Sequence, residues 1–191
     1  MTKIIVLASY RTGSTAFCDT LAKSHNIKNY DEHFHSRRLI KSIENYELVK
    51  NSSFVIKIMP DQIAEPYFSD LINSATHVYG IHRKDVIQQI ASWIIAITRN
   101  IWHSRIENFD NIVEYEIPID RKQIEQQTKK ILKLNEYYDK VFKPLCHKEY
   151  VYEDIKSSLS TSSCLVLNKP KNYNLLINSI NEIIKERKKD V

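Results

Sequence analysis

The sequence predicts an α/β fold with a mostly parallel central sheet, and three observations lead to it. Short apolar, β-branched runs alternate with longer amphipathic runs, which is the pattern of successive βαβ units. The chain has 191 residues, and we expect one domain that spans residues 1–191. Hydrophobic residues make up 42% and charged residues 27% of the chain, as in globular rather than disordered proteins.

The alternation assigns each element in turn, from period-2 apolar runs for strands and 3.6-period runs for helices. We expect strands at Lys3–Ser9, Ile27–Asp31, Phe54–Met59, His77–His82 and Glu149–Tyr152. We expect helices at Ser14–His25, Ser36–Tyr46, Asp61–Asn73, Lys84–Asn100, Arg121–Phe142 and Tyr173–Lys188. Residues 102–118 and 157–171 are predicted to be long loops, which often carry binding function.

Charge and cysteine usage narrow the function classes. The formal net charge is +5, which favours an anionic ligand but is too small and too dispersed to indicate nucleic acid. The three cysteines form no CxxC pair, as expected for reduced thiols in a cytoplasmic protein. The apolar start of the chain is too short for a signal peptide, and residues 90–101 contain too many polar side chains to span a membrane. We therefore expect a cytoplasmic protein with no membrane partner.

The segment Ser9-Tyr10-Arg11-Thr12-Gly13-Ser14-Thr15 joins the first predicted strand to the first helix. A helix N-terminus presents backbone N–H groups and a partial positive charge, which together favour an anion. Gly13 would let the backbone close around an oxyanion, Ser14 and Thr15 can donate hydroxyl hydrogen bonds, and Arg11 offers a fork of donors. The Walker A pattern G-x-x-x-x-G-K-[ST] is absent. The alternative is an ordinary strand-to-helix turn with a serine cap.

A second candidate anion site follows the strand His77–His82. Arg83 lies at the end of that strand, and Ser92 comes nine residues later on the next helix. Carboxyl ends of neighbouring parallel strands face one crevice, so Arg83 could reach a second phosphate of a ligand held by the first loop. The alternative is a surface arginine at a helix start. Only two glycines occur, Gly13 and Gly80, and we expect a side chain to be intolerable at both.

Together these segments resemble the sulfotransferases that use 3′-phosphoadenosine 5′-phosphosulfate (PAPS), and most closely the bacterial trehalose sulfotransferase-like branch. Arg11–Thr15 resembles the family's 5′-phosphosulfate loop, and the stretch from Arg83 to Ser92-Trp93 resembles its 3′-phosphate motif. Phe54–Gln62 is similar to the third strand of that branch and the loop after it, and Tyr152–Ile155 is similar to a late strand-to-helix motif. The ordered set covers about residues 3–160.

The resemblance implies a P-loop-like three-layer sandwich and transfer of a sulfuryl group from PAPS to a hydroxyl of a small molecule or glycan, with PAP (3′-phosphoadenosine 5′-phosphate) as product. Arg11, Thr12, Gly13, Ser14 and Thr15 would hold the 5′-phosphosulfate, and Arg83 with Ser92 the 3′-phosphate. The family's C-terminal Arg-Lys-Gly loop is absent; 169–171 is the candidate replacement. The sequence permits a homodimer.

Sulfuryl transfer to a hydroxyl requires a base, and Asp31-Glu32-His33-Phe34-His35 is the densest group of bases in the chain. The resembled branch uses a glutamate in this region, which indicates Glu32, while His33 and His35 are alternatives. Arg11 would stabilise charge on the leaving phosphate, so that no metal is required. A metal site at His33-x-His35 with Asp31 would have too few ligands, and we predict none.

Two other function classes stay open at this level. A P-loop-type nucleotide kinase would use a related fold, although its lysine loop is missing and no magnesium-binding aspartate is evident. A non-catalytic domain that binds PAP or another nucleotide would share the same phosphate sites without the chemistry.

Overall fold

The computed structural model describes residues 1–34, 44–47, 49–60, 62–63, 65–100, 115–159 and 169–189. The strands are β1 (Lys3–Ala8), β2 (Lys28–Asn29), β3 (Phe54–Ile58), β4 (His77–His82) and β5 (Lys148–Val151). The helices are α1 (Ser14–His25), α2 (Tyr67–Ser74), α3 (Val86–Arg99), α4 (Arg121–Tyr137), α5 (Tyr152–Ile155) and α6 (Tyr173–Arg187). Residues 44–47 are also helical.

The five strands form one sheet in the order β2-β3-β1-β4-β5, and every pair is parallel. β1 is central, with Ile5 opposite Ile56 on one side and Val78 on the other. Its residues 4–8 are fully buried, as expected for a strand covered on both faces. All carboxyl ends therefore lie at one edge, and the predicted parallel α/β fold is confirmed.

Helices cover both faces of the sheet. On one face, Ile4 and Val6 of β1 pack with Phe17 and Cys18 of α1. On the other face, Ile5 and Leu7 pack with Leu71 of α2 and with Phe142. A third apolar cluster joins α3, α4 and α6 through Ile94, Ile131 and Ile180. These layers form the three-layer sandwich.

The helix boundaries differ from expectation where local capping intervenes. α3 begins at Val86 because the Asp85 carboxylate accepts from the Gln88 N–H at 2.9 Å, as an N-cap does. α2 begins only at Tyr67, after the Glu65-Pro66 turn. α4 ends at Tyr137 and continues as a π-turn (Tyr138–Phe142) and a 3₁₀ turn (Lys143–Leu145). Most of the predicted helix Ser36–Tyr46 lies outside the described residues.

Both glycines lie where a side chain would overlap a neighbour. A Cβ on Gly80 would overlap the Tyr138 hydroxyl, and one on Gly13 would overlap the Tyr152 ring. Cys18 and Cys146 carry free thiols. Within the described ranges, no helix has the length and apolarity that crossing a membrane would need.

Candidate functional site

The loop between β1 and α1 presents a bare helix N-terminus. α1 begins at Ser14, and its N-cap is Gly13 in the left-handed conformation (φ 77°), with no side-chain cap hydrogen bond. The serine-capped turn considered from the sequence does not describe this helix start. N–H groups of a first helical turn have no intrahelical acceptor, so they are directed outward with the positive end of the helix dipole. The loop can therefore receive an anion.

Hydrogen bonds between buried groups hold this loop in place. The Thr12 hydroxyl, fully buried, donates to the Ser9 carbonyl at 3.0 Å. The buried Gln89 amide of α3 donates to the Tyr10 carbonyl at 2.7 Å and to Ser9 Oγ at 2.9 Å. The Asn135 amide of α4 donates to Gln89 Oε1 at 2.9 Å. A satisfied buried polar network of this kind fixes one loop geometry.

Arg11 links the first predicted site to the second. Its backbone is left-handed (φ 61°), and its Nε donates to Ser92 Oγ of α3 at 3.0 Å. Burial and the neighbouring Arg83 both lower the pKa of Arg11, although Tyr152 opposes them. Within the described part of the chain, the Arg11 guanidinium has no carboxylate partner. Its positive charge is therefore available to an anionic ligand.

Arg83 lies beside the same loop. Its Nη1 donates to the Arg11 carbonyl at 3.4 Å, and its guanidinium lies 4.9 Å from the centroid of the Tyr152 ring. Its Nε lies 3.4 Å from Glu153 Oε1. Arg83 is 18% exposed, so Glu153 and Tyr152 hold it in place at the edge of the loop. The structure thus brings together Arg11, Ser92 and Arg83.

Glu153 has further partners besides Arg83. Its carboxylate accepts from the N–H of Lys84 at 3.0 Å and of Asp85 at 3.2 Å. Burial raises the pKa of Glu153, but these backbone hydrogen bonds and Arg83 outweigh it and the pKa lies below its usual range. Glu153 is therefore charged at neutral pH and orients Arg83 from a rigid position.

Tyr152 packs between the two arginine sites. Gly13 approaches the ring so closely that a Cβ would overlap it, while Arg83 lies over the same ring. Both Tyr152 and Glu153 come from the start of α5, which directly follows β5. Parallel strands end at one edge, so β5 delivers these side chains next to the β1 and β4 loops.

The candidate base Glu32 lies in an ion cluster around the buried Lys57 that sequence reasoning missed. Its Oε1 is 2.9 Å from Lys57 Nζ, and its Oε2 accepts from the Gln62 amide at 3.0 Å. Lys57, in β3 and 1% exposed, also lies 2.9 Å from Asp31 Oδ1 and donates to Thr15 Oγ1 at 2.6 Å. Glu32 is thereby connected to the anion loop. The signal in the sequence was a lysine in an otherwise apolar strand, Phe54–Ile58.

His33 occupies a different setting. Its Nε2 lies 3.1 Å from the Asn45 carbonyl, and the Asn45 amide donates to the His33 carbonyl. Its ring packs edge-on against Tyr30 and Phe34. His35 lies outside the described residues. Among the residues that are described, no three His, Cys, Asp or Glu side chains cluster as metal ligands would.

The segment 169–171 lies near α3. Lys169 Nζ is 4.8 Å from the centroid of the Tyr173 ring, and the Tyr173 hydroxyl donates to Gln88 Oε1. Burial raises the pKa of Tyr173, while Arg83 acts in the opposite direction. Tyr173 thereby connects Lys169 to Gln88 on α3, the helix that carries Ser92.

Comparisons with known proteins add little. No family model matches the chain, and no curated protein matches it. A solved structure of an uncharacterized protein from Eubacterium ventriosum is similar, with 13% sequence identity and a TM-score of 0.46. The match covers 84% of this chain and 99% of that chain. A likeness at this level carries no argument about function.

Proposed function

We propose that this chain is a PAPS-dependent sulfotransferase that moves a sulfuryl group to a hydroxyl of a small molecule or glycan. The observation that carries the proposal is the contact of Arg11 with Ser92, beside Arg83, at the N-terminus of α1. Two guanidinium groups next to a helix N-terminus suit a ligand with two separated phosphates better than a single anion.

The proposed roles follow from these positions. The first-turn N–H groups of α1, with Arg11 and Thr15, would hold the 5′-phosphosulfate, while Arg83 and Ser92 would hold the 3′-phosphate. Arg11 donates a hydrogen bond to Ser92 in this structure, so residues proposed for the two phosphate positions are already in contact. Thr12 shapes the loop rather than contacting the ligand, because its side chain is fully buried. Gly13 shapes the loop through its left-handed backbone.

The chemistry is an in-line displacement. The acceptor oxygen forms a bond to sulfur while the bond from sulfur to the 5′-phosphate oxygen breaks, and that oxygen keeps the electron pair. Arg11 and the helix N-terminus stabilise the charge that develops on it. Glu32 takes the proton of the acceptor hydroxyl and passes it to water afterwards. Positioning and electrostatics supply the catalysis, as in phosphoryl transfer.

The cytoplasmic location and the choice of acceptor are part of this proposal. A screen of hydroxyl acceptors with ³⁵S-labelled PAPS tests it, with Glu32→Gln as the variant. We expect the variant to bind PAP as the wild type does and to lose sulfuryl transfer. A fully active Glu32→Gln enzyme would move the base to His33 or His35. Tight PAP binding without transfer to any acceptor would favour the non-catalytic alternative.

A further inference from the structure

Lys57 is the most deeply buried cation of the described chain that contacts candidate site residues, and the proposed reaction above gives it no role. Its side chain is 1% exposed near the carboxyl end of β3, between apolar neighbours. Lysine is almost never fully buried unless it is paired, because desolvation of the charge is costly. A lysine at this position therefore needs partners that compensate its charge.

Lys57 Nζ makes a hydrogen bond to Thr15 and ion pairs with Asp31 and Glu32. An ammonium has three N–H donors. Its Nζ lies 2.9 Å from Asp31 Oδ1, 2.9 Å from Glu32 Oε1 and 2.6 Å from Thr15 Oγ1. Its backbone N–H donates to the Asp31 carbonyl at 2.9 Å. Lys57 therefore ties the segment after β2 to the first turn of α1.

The two carboxylates give the cluster a net charge of −1 when all three groups are ionised. Burial lowers the pKa of Lys57, but Glu32 and Asp31 outweigh it and the pKa is raised. If Glu32 takes a proton, Asp31 still balances the Lys57 charge. The cluster can thus hold one additional proton without leaving an unpaired buried ion.

The hydrogen bond to Thr15 has a second consequence. Because Thr15 Oγ1 accepts from Lys57, its own proton is directed to another acceptor. Thr15 lies in the first turn of α1, where an anion would sit. Lys57 therefore leaves the Thr15 hydroxyl proton to be donated to another acceptor, such as an anion at the N-terminus of α1.

We propose that Lys57 is a positioning residue which holds the carboxylate of Glu32 and the hydroxyl of Thr15 at fixed positions, with Asp31 as its second ion-pair partner. The roles of Glu32 and Thr15 rest on the proposed function, but the ion cluster does not. One set of measurements can therefore test the cluster even where PAP fails to bind.

The first test measures the pKa of the Glu32 carboxyl by ¹³C NMR titration, which does not require an active enzyme. Among the described residues, the Cys18 thiol of α1 is coupled to Lys57, Asp31 and Glu32, and also to the neighbouring Asp19. Burial raises the pKa of Cys18, so it stays a neutral thiol, and neither residue is altered in the variants. Removing Lys57 should raise the Glu32 pKa, and removing Asp31 should lower it.

We expect the Glu32 pKa to increase in the order Asp31→Asn, wild type, Asp31→Asn/Lys57→Met, Lys57→Met. The step from wild type to Lys57→Met should be about one pKa unit or more, a tenfold change in proton affinity. The double variant keeps the proposal testable if Lys57→Met alone fails to fold, since it retains one negative charge. A Glu32 pKa that is the same in the double variant and in Asp31→Asn would overturn the proposal.

The second test is a double-mutant cycle on PAP affinity by calorimetry. Lys57→Met should weaken PAP binding several-fold in the wild-type background but not in Thr15→Val, because its effect on the ligand passes through that hydroxyl. Equal weakening in both backgrounds would indicate only general loosening of the fold and would refute the Thr15 role. Absence of PAP binding in the wild type would instead refute the proposed function, while the NMR order would still decide the cluster.

Discussion

Replacement of Arg83 by alanine is expected to weaken PAP binding by about 10- to 100-fold. Hydrogen bonds to charged groups contribute roughly 1.5–3 kcal/mol, and each ~1.4 kcal/mol corresponds to a tenfold change in affinity. Arg83 is 18% exposed and lies against the Tyr152 ring, so part of its desolvation precedes ligand binding. Its contribution should therefore lie within this range rather than near the value for an exposed charge.

The same replacement should affect the fold little. Glu153 keeps its hydrogen bonds from the N–H groups of Lys84 and Asp85, so removal of Arg83 leaves no carboxylate without a partner. Partly exposed ion pairs contribute about 0–1 kcal/mol. The unfolding free energy of Arg83→Ala should fall by no more than that amount in urea titrations.

Lys84→Ala is the matched control. It lowers the net charge by one unit, as Arg83→Ala does, but Lys84 is 64% exposed and pairs at 3.4 Å with Asp154, itself 60% exposed. Calorimetric titration of PAP at two salt concentrations separates local contact from overall charge, because the Debye length is about 8 Å at 0.15 M. Equal losses of affinity in Arg83→Ala and Lys84→Ala would refute the placement of Arg83 in the site.

Three further predictions concern the loop and its support. Arg11→Gly and Arg11→Ala should both weaken PAP binding, but the Tm of Arg11→Gly should lie about 2–4 °C above that of Arg11→Ala, since glycine relieves roughly 1 kcal/mol of left-handed strain at φ 61°; a lower Tm in the glycine variant would contradict it. Gly13→Ala should destabilise the protein because the new Cβ meets the Tyr152 ring and because φ +77° is strained for alanine. Adding Tyr152→Ala should restore part of the lost stability, and no restoration would assign the whole cost to φ. The pKa of Glu153 is lower in the folded than in the unfolded protein. Its contribution to the unfolding free energy is therefore complete above its unfolded pKa of about 4.3 and is lost as pH falls through its pKa in the folded protein. Glu153→Gln should therefore show a weaker fall of unfolding free energy between about pH 5 and pH 3, and an unchanged slope would show that Glu153 gains nothing from its partners.

The sheet was predictable because its strands are short apolar runs rich in β-branched residues, as is typical of strands that are covered on both faces. Pattern alone could not show where the helices begin, since Asp85 caps α3 and Pro66 precedes α2. The end of α4 was equally hidden. The apolar spacing from Arg121 to Phe142 is continuous, but the chain changes to a π-turn at Tyr138.

The sequence indicated the candidate site only as two separate motifs, because Arg11 and Arg83 each follow a strand that ends at the same sheet edge. The hydrogen bond from Arg11 to Ser92 and the contact of Arg83 with the Arg11 carbonyl depend on how α3 packs and how the loop is shaped, which spacing does not give. The role of Lys57 was not predicted, because a single lysine within a strand forms no recognisable sequence motif. Its importance comes from Asp31, Glu32 and Thr15, which only the folded chain brings to its Nζ.

Calorimetric titration with PAP, and in parallel with ATP and magnesium, tests the central claim most directly. A ligand at one hundred times its dissociation constant should also stabilise the fold by about 2.7 kcal/mol, which a thermal-shift assay detects. We predict that PAP binds and stabilises the wild type, that Arg11→Gly and Arg83→Ala each weaken it, and that magnesium is not needed. Binding of ATP with magnesium, together with no binding of PAP, would contradict the account.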